Sequence, residues 1–136
     1  MYALTICQPY AELIACGAKL VENRRWRLRY RGRLAIHAGK SRAWMEPGDE
    51  RRYPDMRFGA IIATARVIGC WSIGEIGRGE LPASLEWVPR HAHTEGPYCI
   101  VLAGVQRLSI AISCPGQRAL WKVPTDVAAL VRARRR

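Results

Sequence analysis

The chain has 136 residues with 22 Lys+Arg against 11 Asp+Glu, a formal net charge of +11 and a pI near 10.2. Its length suits one domain spanning residues 1–136, and 49% apolar residues exclude a disordered basic tail. Six arginines fall between Arg24 and Arg33, and Arg132, Arg134, Arg135 and Arg136 close the chain; without these ten, the remaining 12 bases nearly balance the 11 acids.

Met1 to Pro9 has no basic leader and no long apolar run, so no signal peptide is expected. The longest apolar stretch, Gly59 to Ala65, is too short to span a membrane as a helix. Cys7, Cys16, Cys70, Cys99 and Cys114 occur singly, which points to reduced thiols in a cytoplasmic protein.

In chain order, Ala3 to Cys7 reads as a strand. Pro9 then opens a helix of about two turns that places Tyr10, Leu13 and Ile14 on one face and stops at Gly17. From Arg25 to Leu34 odd positions are arginine and even ones apolar or Gly. Period two predicts an extended strand with Arg25, Arg27, Arg29, Arg31 and Arg33 on one side and Trp26, Leu28, Tyr30 and Leu34 on the other. A turn at Tyr30-Arg31-Gly32 leads into a strand from Leu34 to Ala38. A short helix from Ser41 to Glu46 and a loop follow, then a long strand from Gly59 to Ile73, bent or bulged near Gly69. Beyond an irregular stretch, Tyr98–Ala103, Val105–Ile112 and Ala119–Val123 read as three strands, and Thr125 caps a last helix from Asp126 to about Val131. The pattern is that of a partly closed β-barrel with appended helices.

Two constellations carry chemistry. Lys19, Glu22 and Arg24 cluster where the first helix passes into the arginine run, and an extended chain puts Glu22, Arg24 and Trp26 on one face. A cation, a carboxylate and a guanidinium beside an aromatic suit a base edge and its phosphate, or proton transfer at a scissile group; a surface ion-pair cluster is the plain structural alternative. The arginine row suits a phosphate track, since guanidinium groups grip phosphates bidentately and stack on bases. A basic strand edge that blocks aggregation is the alternative there. His37 has the intrinsic pKa of a general base, although a packed His is the plainer reading. His91-x-His93-x-Glu95 lacks a fourth ligand, so no metal and no cofactor is expected.

Ile6-Cys7-Gln8-Pro9-Tyr10-Ala11, Gly17-x-Lys19-x-x-Glu22-x-Arg24, Trp26, Tyr30-Arg31-Gly32 and Ile36-His37-Ala38 together resemble the ASCH (activating-signal-cointegrator homology) family. Gly96-Pro97-Tyr98 and Leu120-Trp121-Lys122-Val123-Pro124 extend the likeness over roughly residues 3–124, leaving 125–136 as a helix and basic tail; Ala119 stands where relatives commonly have Gly. The resemblance implies an α+β fold: a PUA-like mixed β-barrel of five to six strands with two or three short flanking helices. It also implies a cleft that binds RNA or single-stranded nucleic acid, lined by Lys19, Glu22 and Arg24 with Gln8 and Trp26 near it. The resulting interface comprises Gln8, Lys19, Glu22, Arg24, Arg25, Trp26, Arg27, Arg29, Arg31, Arg33 and His37. The family also includes hydrolases, in which Lys19 and Glu22 would be the catalytic pair. A ribonuclease fits better than an N4-acetylcytidine amidohydrolase, because Glu22 stands where the latter has a Thr nucleophile.

Overall fold

The computed structural model describes residues 1–135; Arg136 lies outside the described residues. Six strands form one mixed sheet in the order β2-β5-β4-β3-β1-β6. They are β1 (Tyr2–Ile6), β2 (Val21–Arg24), β3 (Gly32–Ala38), β4 (Ala60–Ser72), β5 (Tyr98–Ser113) and β6 (Trp121–Lys122). The helices are α1 (Tyr10–Ala15), α2 (Asp49–Arg52), α3 (Ile73–Gly77) and α4 (Thr125–Arg134). The fold is therefore α+β. The sheet is open and not a closed barrel: β2 and β6 stand at its two ends, and β6 is only two residues long.

The chain groups into two compact units. Unit 1 holds residues 1–18, 33–65 and the chain from Gly104 onward; unit 2 holds 19–32 and 66–103. In unit 1, β1 runs parallel to β3 with Leu4 opposite Ile36 and Thr5 opposite His37, while β6 pairs antiparallel to β1. Leu34 to Ala38 are all buried, as a strand covered on both faces requires. Ala3, Ala35, Ile61, Leu108, Ile112, Trp121 and Val123 form its core, and α4 closes it with Ala128 and Val131. Unit 2 packs Val21 of β2 and Cys99 and Val101 of β5 against Ile76, Leu85 and Val88.

Helix α1 ends as its glycine predicts. Gly17 takes φ +85°, its N–H donates to the Ile14 carbonyl, and the Ala18 N–H reaches back to Leu13 at 2.9 Å, a Schellman closure. Other boundaries differ from the sequence reading. The segment Ser41–Glu46 is not helical; Pro47 disfavours helix at the residue before it, and the turn comes later as α2, where the Asp49 carboxylate accepts the Glu46 N–H at 2.8 Å. Gly104 does not divide two strands. It sits at φ +58° inside β5, which runs 16 residues. The last strand shrinks to Trp121–Lys122, because Ala119 adopts φ +54° and turns the chain just before it. Helix α4 starts at Thr125, with Pro124 and not Thr125 at its cap, and continues to Arg134.

Strand β4 passes unbroken through Gly69, where an added Cβ would lie 2.3 Å from the Trp71 ring. The five cysteines are free thiols: Cys16 is exposed, Cys7 and Cys114 are half-buried, and Cys70 and Cys99 are buried. Among the described residues, no helix is long and apolar enough to cross a membrane.

Candidate functional site

The segment Lys19–Arg24 opens unit 2. Strand β2 pairs antiparallel to β5, with Glu22 opposite Ile100 and Arg24 opposite Tyr98. The two-residue period turns Val21 into the core and sets Glu22 and Arg24 on one face. The Glu22 carboxylate joins two cations: Oε1 lies 2.8 Å from Lys19 Nζ, and Oε2 lies 3.0 Å from Arg24 Nε. Lys19 Nζ also donates to the Val21 carbonyl. Lys19 is 3% exposed and Glu22 8%, so the pair is buried and each charge depends on the other. Lys19, Glu22 and Arg24 are thus brought together as one linked triad, of which Arg24 retains the most exposure.

Two histidines that sequence spacing offered only as weak metal ligands adjoin this triad. His91 Nε2 accepts the Leu20 N–H at 3.1 Å, so the ring is neutral at that nitrogen. Its pKa lies below the usual histidine value, chiefly through burial and then through the neighbouring His93 and Lys19. His93 is lowered by burial and by Lys19, against the opposing pull of Glu95. The His91 and His93 rings lie 5.7 Å apart, and Trp87 meets His91 edge-on at 5.5 Å. Among the described residues, no group of three His, Cys, Asp or Glu side chains is placed to hold a metal ion.

Asn23 escaped the sequence reading. Its Oδ1 accepts the N–H groups of Glu95 (3.0 Å) and Gly96 (2.8 Å), and its Nδ2 donates to the His93 carbonyl at 2.8 Å. One amide thereby ties the His93–Gly96 loop to β2. The only hint was its place inside the Lys-x-x-Glu-x-Arg run.

The arginine row is not a strand. Residues 25–31 are irregular chain between β2 and β3, yet exposure still alternates: Arg25, Arg29, Arg31 and Arg33 are exposed, Leu28 is buried, and Trp26 and Tyr30 are half-buried. The alternating side chains suffice to direct apolar groups inward without a hydrogen-bonded neighbour. Arg27 departs from the row. It contacts Glu75 at 2.5 Å, donates to the Cys70 carbonyl at 3.0 Å and lies over the Tyr98 ring at 5.2 Å. The Ser72 backbone N–H and then Arg27 hold the Glu75 carboxyl down at about 2. Arg31 donates to the Leu28 and Tyr30 carbonyls.

The other expected site residues belong to unit 1. Gln8 is fully buried; its Nε2 donates to the Arg57 carbonyl at 2.7 Å and its Oε1 accepts the Glu12 N–H at 2.8 Å. Glu12 in turn grips Arg107 through both oxygens. His37 is 1% exposed, with Nε2 2.8 Å from the Cys114 carbonyl and Nδ1 3.2 Å from Thr5 Oγ1. Burial lowers its pKa. Trp44 is exposed and meets Tyr10 edge-on at 6.2 Å. Of the terminal arginines, Arg132 and Arg134 lie in the last turn of α4 and Arg135 Nε donates to Gln106 at 3.2 Å.

The six-stranded mixed sheet with a few short helices sets the class of this protein as α+β. The ASCH domain model matches residues 4–107, and the chain belongs to the ASCH family. Its fold is similar to that of an ASCH protein from Zymomonas mobilis, at 16% identity and a TM-score of 0.58, covering 99% of this chain and 95% of that one. Two variants of the same Zymomonas mobilis protein, one Tyr→Phe and one Ser→Ala, match at 16% and 17% identity, both with a TM-score of 0.56. They cover 98% and 96% of their own chains and 99% of this one. No curated protein matches the sequence.

Proposed function

We propose that this ASCH domain binds RNA or single-stranded nucleic acid, with phosphates along Arg25, Arg29 and Arg31. The observation that carries the reading is the row of exposed arginines in an acid-free stretch. Among the described residues, Arg25 and Arg29 enter no ion pair. The general association of the family with nucleic acid agrees with it. Arg27 has no part in the track, because Glu75 takes its charge. Arg24 reads a base edge or phosphate, while the buried Lys19–Glu22 pair fixes its guanidinium from behind.

Labelled single-stranded RNA titrated at several salt concentrations tests this. Affinity falls as salt rises, with a log–log slope of about −0.7 per phosphate neutralised. The triple variant Arg25→Gln, Arg29→Gln, Arg31→Gln binds more weakly and with a slope shallower by about 2. Binding that is absent, or indifferent to salt, rejects the track.

A hydrolytic reading draws on a different observation, the buried Lys19–Glu22 pair beside two histidines held neutral. There Lys19 stabilises developing negative charge and Glu22 moves the proton. Purified protein incubated with RNA, with and without EDTA, tests it. Cleavage that survives both Lys19→Ala and Glu22→Ala removes these residues from the chemistry.

A further inference from the structure

Unit 1 contains a cavity of about 450 Å³ lined by Thr5, His37, Gly39, Lys40, Gly59 and the loop Pro115–Arg118. That volume is in the range of small-molecule sites. Its lining includes two cations, Lys40 and Arg118, and no acid. Among the described residues neither cation pairs with a carboxylate. The backbone N–H groups of Gly116, Gln117 and Arg118 likewise donate to no protein acceptor among the described residues. Successive uncommitted amides beside two cations are the donor set of an anion site.

The wall behind this loop is a chain of hydrogen bonds. Trp121 Nε1 donates to Thr5 Oγ1 at 3.0 Å, the Thr5 hydroxyl donates to His37 Nδ1, and His37 Nε2–H donates to the Cys114 carbonyl at 2.8 Å. The Cys114 carbonyl can only accept, which places the proton on Nε2 and leaves Nδ1 as the acceptor. A Cβ on Gly116 would sit 2.6 Å from Thr5 Oγ1 and 2.7 Å from His37 Cε1, so only glycine lets the loop rest on this pair. Likewise a Cβ on Gly59 would meet the Lys40 side chain at 2.9 Å. The loop packs against this hydrogen-bonded wall through Gly116, which sets its amides beside Lys40 and Arg118 in the cavity lining.

We propose that this cavity is a phosphate-monoester site, holding the dianionic phosphate of a nucleotide through Lys40, Arg118 and the amides of Gly116–Arg118. Two positive charges match the dianion, and the remaining volume, bounded by Pro115 and the His37 ring, accommodates the attached organic group. None of the arginines of the row lines this cavity. A free mononucleotide and the phosphorylated end of a strand present the same chemistry.

Amide NMR shifts of the intact chain, titrated with AMP, adenosine and inorganic phosphate, test the assignment. AMP and phosphate are expected to shift the Gly116, Gln117 and Arg118 signals, and adenosine to leave them in place. Lys40→Gln and Arg118→Gln should each weaken AMP binding about tenfold, with the rest of the spectrum preserved. Arg66→Gln, at an exposed position of β4 that does not line the cavity, should leave AMP binding unchanged. A 5′-phosphorylated oligonucleotide that shifts the same three amides, where its 5′-hydroxyl counterpart does not, identifies a strand end as the source; a response to AMP but to neither oligonucleotide identifies a free nucleotide. Unmoved amides, equal binding of adenosine, or AMP affinity within twofold of the parent in both charge variants overturns the proposal.

Discussion

At the scale of single residues, Ala119 bears the clearest strain. It is the one non-glycine with positive φ among the described residues, at +54°, where a Cβ crowds the following carbonyl. Glycine at this position would remove that crowding. Ala119→Gly is expected to stabilise the protein by about 0.5–1 kcal/mol after the entropic cost of glycine, read from urea unfolding midpoints. A loss of stability would mean that the turn is relaxed. Glu22 has the opposite character. Glu22→Gln strands the buried Lys19 ammonium and is expected to destabilise by about 3 kcal/mol in the same assay. Adding Lys19→Met should recover much of that loss, since the orphaned charge is then gone as well.

At the scale of elements, β2 depends on a loop distant in sequence. Asn23→Ala leaves the Glu95 and Gly96 amides without their acceptor and is expected to cost about 2 kcal/mol. Asn23→Asp keeps the acceptor for both amides but sets a carboxylate oxygen against the His93 carbonyl, so its cost should fall on that contact and leave the two amides protected. Hydrogen exchange at Glu95 and Gly96 would report the difference directly. The elements also mark how far the sequence could be read. Strand β1, helix α1 with its glycine stop, β3 and β4 were legible because each follows a local rule: alternation, an apolar face, a continuous β-branched run. The arginine row obeyed the rule of alternation yet formed no strand, because a period of two sets which side is buried and not whether a partner strand exists. Gly104 read as a break although a glycine with positive φ can sit inside a long strand. The triad was visible as spacing, but its burial, the Asn23 hub and the approach of His91 depend on contacts some 70 residues apart, which no local pattern records.

At the scale of the whole molecule, charge and protonation act together. All three histidines have pKa values below their ordinary 6.5, in each case chiefly through burial. The unfolded chain therefore binds more protons than the folded one just below pH 6.5, and stability falls as pH drops through that window. Above it this contribution is fully present. Glu75, held at about 2, contributes in a lower range: its stabilisation is present above the usual carboxylate pKa of 4.5 and is lost as pH falls towards 2. Thermal unfolding between pH 8 and pH 5 should show Tm declining below about pH 6.5, and a His37→Gln variant should flatten part of that slope. A Tm that rises on acidification in this range would contradict the assignment of neutral imidazoles at the buried His37 and the half-buried His91 and His93. Added salt screens the self-repulsion of a chain carrying +11 and should raise Tm, even as it weakens binding to any polyanion.

The distribution of thiols has a practical consequence. Burial pushes the Cys70, Cys99 and Cys114 thiols up, so little of the reactive thiolate forms there near neutral pH, whereas Cys16 lies exposed just after α1. A maleimide reagent supplied in limiting amount should alkylate Cys16 first. The unmodified protein would then accept a single fluorophore or spin label without any engineered cysteine, and peptide mass spectrometry would show where it landed.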